Sequence, residues 1–140
     1  MFASKHLPHM YILRKCGDFF VLGGPGAVSE TLFGEVKEYA MGNTESVSDE
    51  DRFATSTAIA QRFLPETIDS VVLAYAMNYP GGLAGGPIAY ATESPLLLVT
   101  SSSYSFAQAY VGQLSISKII VMGGKALITD EVAVEMFAII

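Results

Sequence analysis

At 140 residues the chain has the length of one domain, and with 51% apolar against 16% charged residues it can bury a sizeable core. A formal charge of −6, with eight Lys and Arg scattered along the chain, argues against nucleic acid as a partner. The apolar runs fall far short of the roughly 18 residues needed to span a membrane, and a lone Cys16 supports neither an intrachain disulfide nor a Cys-based metal site.

Met1 to Asp18 reads as a tail. It lacks the apolar stretch and small-residue cleavage site of a secretory signal, so an export signal is expected outside this chain. His6 and His9, the chain's only histidines, lie in this tail and away from every patterned element. A Ser-His-Asp or Cys-His arrangement therefore has little support, and the chain reads as non-catalytic.

Phe19 to Leu22 is a short apolar strand that meets Gly23-Gly24, a pair suited to a sharp turn with positive φ. Ser29 then offers an N-cap oxygen, and Glu30 a first-turn acid, to a following helix. The pattern returns at Lys118 to Met122, Gly123-Gly124, Thr129, Asp130 and Glu131, with Gly23 and Gly123 standing 100 residues apart. Gly23, Gly24, Gly123 and Gly124 are assigned to the turns and to backbone packing. A dinucleotide-binding reading of Gly24-x-Gly26-x-x-Ser29 is disfavoured, because no second strand with a terminal acid follows about twenty residues on, and the later copy lacks the second spaced glycine.

Residues 42–50, with Gly42, Asn43, Thr44 and several acids, read as an exposed linker. Asp49 and Asp51 lack the ligand spacing of a calcium site and read as a solvated acidic face; neither a metal nor a cofactor is implied. Ser56 to Leu64 carries Ala58, Ile59, Ala60 and Phe63 at helical spacing and stops at Pro65. Val71 to Tyr75 is a β-branched apolar strand, followed by a Pro80-Gly81-Gly82 turn and a small-residue helix over Leu83 to Ala91, for which Pro87 implies a kink or a late start. Pro95 to Val99 is a second buried strand, Tyr104 to Leu114 an amphipathic helix, and Ile119 to Met122 a third strand.

Apolar strands alternating with helices predict an α/β fold, a mainly parallel sheet in a three-layer α/β/α sandwich. The repeat divides the chain into a tail (1–18), the closing strand-turn-helix of a partial preceding repeat (19–41), a linker (42–50) and one whole module (51–140).

Four landmarks, in order, give a resemblance to a known family: Asp51-Arg52-Phe53-Ala54-Thr55-Ser56 followed by Ala58 and Ala60; Val71 to Ala74 leading to Asn78-Tyr79-Pro80 and Leu83-Ala84; Pro95-Leu96-Leu97-Leu98; and Val121-Met122-Gly123-Gly124. Over about residues 19 to 140 the chain resembles the type 2 cell-wall-binding repeats of clostridial surface-layer proteins. The resemblance implies a Toprim-like fold, modules assembled in threes around an axis, and non-covalent binding of an anionic secondary polysaccharide of the Gram-positive wall, hence a place at the cell surface. In that family a Pro-Ile-Leu-Leu segment is tied to polymer attachment; here it reads Pro95-Leu96-Leu97-Leu98. The family's Arg and Gly ahead of the Asp-Arg pair align with Ser46 and Asp49, and its Pro-Asp-Ala-Leu becomes Pro80-Gly81-Gly82-Leu83, which predicts a looser turn after the strand.

Candidate polymer contacts are Arg52, Asn78, Tyr79, Pro95, Leu96, Leu97, Leu98 and Lys125. Arg52 offers a planar donor fork for phosphate or carboxylate, the alternative being an ion pair with Asp49 or Asp51 at a helix starting near Thr55. Tyr79 is favoured for sugar contact among Tyr75, Tyr79, Tyr90, Tyr104 and Tyr110, some of which must be core. Asn78 to Leu83 and Gly123 to Lys125 are expected to shape crevices outside the C-terminal strand ends. Two other functions stay open: a small nucleotide- or phosphosugar-binding enzyme, and a structural spacer that oligomerises without a ligand.

Overall fold

The computed structural model describes residues 17–64 and 67–137; residues 1–16 of the tail, with His6, His9 and Cys16, and the helix stop at Pro65, lie outside the described residues. Two compact units divide between Val47 and Ser48.

In the first unit, strand β1 (Phe19–Leu22) leads through Gly23 to helix α1 (Glu30–Tyr39) and then to strand β2 (Thr44–Val47). Gly23 has φ +121°, a conformation that disfavours any side chain. The Gly24 carbonyl accepts from Ala27 and Val28 amides, and the Ser29 hydroxyl caps α1 by accepting from Leu32 N at 3.2 Å. β2 departs from expectation, since Thr44–Val47 falls within the stretch read as a linker. Its polar sequence conceals a strand held by backbone bonds: it pairs parallel with β1, Phe19 opposite Thr44 through Leu22 opposite Val47. Of its four side chains only Val47 is buried, so no apolar alternation marks it.

The second unit runs α2 (Arg52–Phe63), β3 (Ser70–Tyr75), α3 (Tyr79–Ala91), β4 (Leu96–Val99), α4 (Ser105–Val111), β5 (Lys118–Met122) and α5 (Asp130–Phe137). Its three strands lie in the order β4-β3-β5, every pair parallel. The central position of β3 accounts for its unbroken apolar run, with Val71, Val72, Leu73 and Ala74 all 0% exposed.

The alternation of the strands sorts the layers. Val71, Leu73, Leu97 and Val99 join Ala60 of α2, Ala107, Tyr110 and Val111 of α4, and Val132 and Met136 of α5 in one core. On the other face α3 approaches at Gly85, where an added Cβ would lie 2.8 Å from Leu96 Cδ1 and 3.3 Å from Met122 Cγ. The chain is thus an α/β fold with parallel sheets, and the second unit has helices on both sides.

Three local expectations need correction. α2 begins at Arg52, a turn before Ser56, because Asp51 Oδ1 accepts from Phe53 N and Ala54 N, each at 2.8 Å. Pro80-Gly81-Gly82 is not a loose turn but the first turn of α3, where Pro near the start lacks only a donor the helix does not use. α3 also starts early and runs past Pro87. The strand-turn-helix repeat itself is reproduced: Gly123 has φ +145°, and the Gly124 carbonyl accepts from Leu127 and Ile128 amides as Gly24 does from Ala27 and Val28.

Candidate functional site

Beyond the C-terminal ends of β3 and β4 lies an open groove of about 450 Å³ lined by Arg52, Ala76, Asn78, Tyr79, Gly82, Leu83 and Leu98. Each wall follows from local folding. The Asp51 cap starts α2 at Arg52, and Arg52 Nη1 donates to the Ala76 carbonyl at 3.0 Å. That bond ties the guanidinium to the chain leaving β3. Asn78 is the N-cap of α3 but makes no side-chain cap bond there. Tyr79 and Leu83, four residues apart on the first turns of α3, are 85% and 75% exposed. Leu98, of opposite parity to the core-facing Leu97 and Val99, supplies the floor.

The groove therefore gathers Arg52, Asn78, Tyr79 and Leu98 from the sequence-derived candidates. It does not gather the others. Leu97 is 0% exposed in the core and has no surface to offer a ligand. Pro95 is buried at the opposite end of β4, its carbonyl accepting from Val72 N at 2.8 Å. Leu96 packs against α3 at Gly85. Lys125 sits in the turn after β5, its ammonium 2.5 Å from Asp130 Oδ2, and both side chains are exposed. The guanidinium's bond goes to the Ala76 carbonyl rather than to Asp49 or Asp51, the ion-pair partners envisaged as its alternative role, and Asp51 Oδ1 caps α2.

Sequence reasoning set Leu83 at the edge of an expected crevice without counting it a contact, and it missed the Ala76 carbonyl. Leu83 carried a signal, its i, i+4 spacing from Tyr79, obscured by reading the intervening prolyl-glycyl-glycyl stretch as a turn. The carbonyl carried none. The tyrosines divide clearly: Tyr110 is buried, Tyr75 and Tyr104 pack at the edge of the core, and Tyr79 and Tyr90 are exposed. The Tyr104 hydroxyl donates to the Glu135 carboxylate, which raises its pKa.

A larger cavity of about 730 Å³ opens at the other end of the strands, among residues that include Leu64, Ile68, Asp69, Tyr90 and Glu93. Among the described residues its lining holds two carboxylates and no Lys or Arg. An anionic ligand would meet two carboxylates in the cavity and the Arg52 guanidinium in the smaller groove, so charge sign favours the groove. Among the described residues no group of three or more His, Cys, Asp or Glu could hold a metal ion, and no helix is long and apolar enough to cross a membrane.

The model of the cell wall binding domain 2 (CWB2) family matches residues 46–133. The chain belongs to this family. All seven residues of the groove fall inside the CWB2 match. Two solved structures are similar in fold: Cwp8 from Clostridium difficile, with TM-score 0.73 and 20% identity over 87% of this chain, and Cwp6 from Clostridium difficile, with TM-score 0.77 and 17% identity over 88%. The chain spans 20% of the length of each. No curated protein matches the chain. The CWB2 match begins at Ser46, inside β2, and leaves β1 and α1 outside it.

Proposed function

We propose that this CWB2 module is a non-catalytic anchor that holds a surface protein to an anionic secondary polymer of the Gram-positive wall, with the groove at Arg52 as its contact site. The observation that carries this reading is the tethering of Arg52 to the Ala76 carbonyl beside the exposed Tyr79. A guanidinium fixed by one bond presents its remaining fork at little further entropic cost. Tyr79 offers an apolar face and a hydroxyl to a sugar ring, with Leu83 and Leu98 as apolar neighbours in the same groove. The N-terminus of the thirteen-residue helix α3 adds a partial positive charge at the same groove.

The chain's formal charge of −6 opposes an anionic partner at long range, but screening over about 8 Å confines the interaction to such local donors. One shallow groove binds weakly, and attachment gains strength from several modules engaging one polymer strand. Grouping of modules in threes suits α3, which has no charged residue in thirteen and leaves Leu83 and Tyr90 on its outer surface. The reading is tested by sedimenting the purified protein with Gram-positive walls before and after extraction of their secondary polymers. The protein is expected to sediment only with polymer-bearing walls; equal retention on both preparations overturns it.

A further inference from the structure

The two strand-turn-helix copies differ in what lies on the outer side of their strands. In the first copy the chain continues beyond α1 into β2, which pairs with β1. That pairing is tied to the glycine turn: Phe19 N donates to Asn43 O at 2.8 Å, Gly23 N donates to Val47 O at 3.0 Å, and Ser46 Oγ donates to Gly23 O at 3.2 Å. By sequence β2 reaches into the CWB2 match, yet by packing it belongs to the preceding unit. One strand is thus handed across the boundary between matched module and preceding fragment.

In the second copy β5 pairs with β3 on one side and, among the described residues, with no strand on the other. The sheet's two edges are treated differently. At the β4 edge, helix α2 supplies the Ser56 hydroxyl to the Leu98 amide. At the β5 edge no described residue supplies an equivalent bond, and Ile119, Ile120, Val121 and Met122 stay only half-buried. An apolar, β-branched edge strand with a single Lys at its start is a template for another strand.

We infer that the outer edge of β5 is a docking edge for a parallel strand equivalent to β2, the opening strand of a following copy of this module, so that successive modules are joined by strand exchange as well as by the covalent chain. The register follows from the repeat: the Thr, Glu, Ser and Val of the incoming strand stand opposite Ile119, Ile120, Val121 and Met122, as Thr44 to Val47 stand opposite Phe19 to Leu22. The donors that would be engaged are the amides of Ile119, Val121 and Gly123, the equivalents of Phe19, Val21 and Gly23. The inference rests on the repeat and on the β1-β2 pairing, and is independent of polymer binding.

The test extends the full chain directly after Ile140 with a copy of residues 41–49, which preserves the spacing from the glycine turn to the strand. A second extended chain carries the same copy with Ser46→Pro and Val47→Pro, which removes its ladder donors and its strand geometry. Amide hydrogen exchange is followed by NMR in both and in the unextended chain, with the β3 amides reporting that the module is folded. The expected result is slowing by about tenfold or more at Ile119, Val121 and Gly123 in the first extended chain alone, as for amides moved from solvent into a ladder. Equal exchange at those amides in the two extended chains, or protection already present without any extension, overturns the proposal.

Discussion

Ser56 bridges two backbones: its hydroxyl accepts from the Leu98 amide, 42 residues on, at 3.0 Å, and donates to the Phe53 carbonyl at 2.8 Å. Leu98 lies in the edge strand β4, where an amide would otherwise face α2 without a partner. Ser56 is 7% exposed, so water does not readily take its place. Ser56→Ala is expected to lower the unfolding free energy by about 1–3 kcal/mol, the penalty for a buried donor left unsatisfied. Urea denaturation followed by circular dichroism measures it, and Gln61→Ala at an exposed position of the same helix provides the comparison.

Gly85 makes a second contact between layers, through the side chain it lacks. A Cβ there would press on Leu96 Cδ1, Met122 Cγ and Val72 Cγ1 at 2.8, 3.3 and 3.5 Å. Leu96 can swing aside for one methyl group, and Ala gains helix propensity of about 1 kcal/mol over Gly. Gly85→Ala is therefore expected to be near neutral, while Gly85→Leu overfills the space and costs about 1–3 kcal/mol or more. Thermal unfolding of the two variants separates close packing from a simple aversion to glycine in helices.

Patterns that depend on burial were legible in the sequence. The run Val71 to Ala74 announced a strand because both faces of β3 are covered, and the paired Gly23 and Gly123 announced turns because positive φ selects glycine. β2 was illegible because its cohesion is backbone pairing and only Val47 is buried. Part of the candidate set falls outside the groove for a related reason. Pro95 to Leu98 was read as one segment, whereas alternation along a strand sends Leu97 into the core and Leu98 into the groove. Arg52 was singled out and lines the groove, but its partner there, the Ala76 carbonyl, is a backbone atom 24 residues away and leaves no mark in composition or spacing.

Tyr110 links stability to pH on the alkaline side. It is 6% exposed, and burial raises its pKa above the ordinary 10.0. The unfolded chain therefore loses this proton before the folded chain does. Stability from neutral, buried Tyr110 is fully present below about pH 10 and is lost as pH rises toward the folded value. Urea midpoints measured from neutral pH to above the ordinary tyrosine range should fall more steeply in the parent protein than in Tyr110→Phe. Parallel curves would show that burial of this phenol does not govern alkaline unfolding.

Arg52 and Lys125 are the two cations that sequence reasoning set at the strand ends, and the structure treats them unequally. Lys125 is spent on an exposed pair with Asp130, both side chains more than two-thirds exposed at 81% and 70%. Such a pair contributes little, so Lys125→Ala is expected to change stability by no more than about 0.5 kcal/mol and to leave wall retention unchanged. Arg52 loses both its bond to Ala76 and its place in the groove when truncated. Arg52→Ala is expected to cost about 1 kcal/mol of stability and to weaken retention on polymer-bearing walls by about tenfold or more, the loss of one charge-assisted contact. Arg52→Lys keeps the charge without the fork and should recover only part of it. Sedimentation isotherms on one wall preparation compare all three variants with the parent; equal retention by Arg52→Ala and the parent would remove the groove from consideration, whatever Lys125→Ala does.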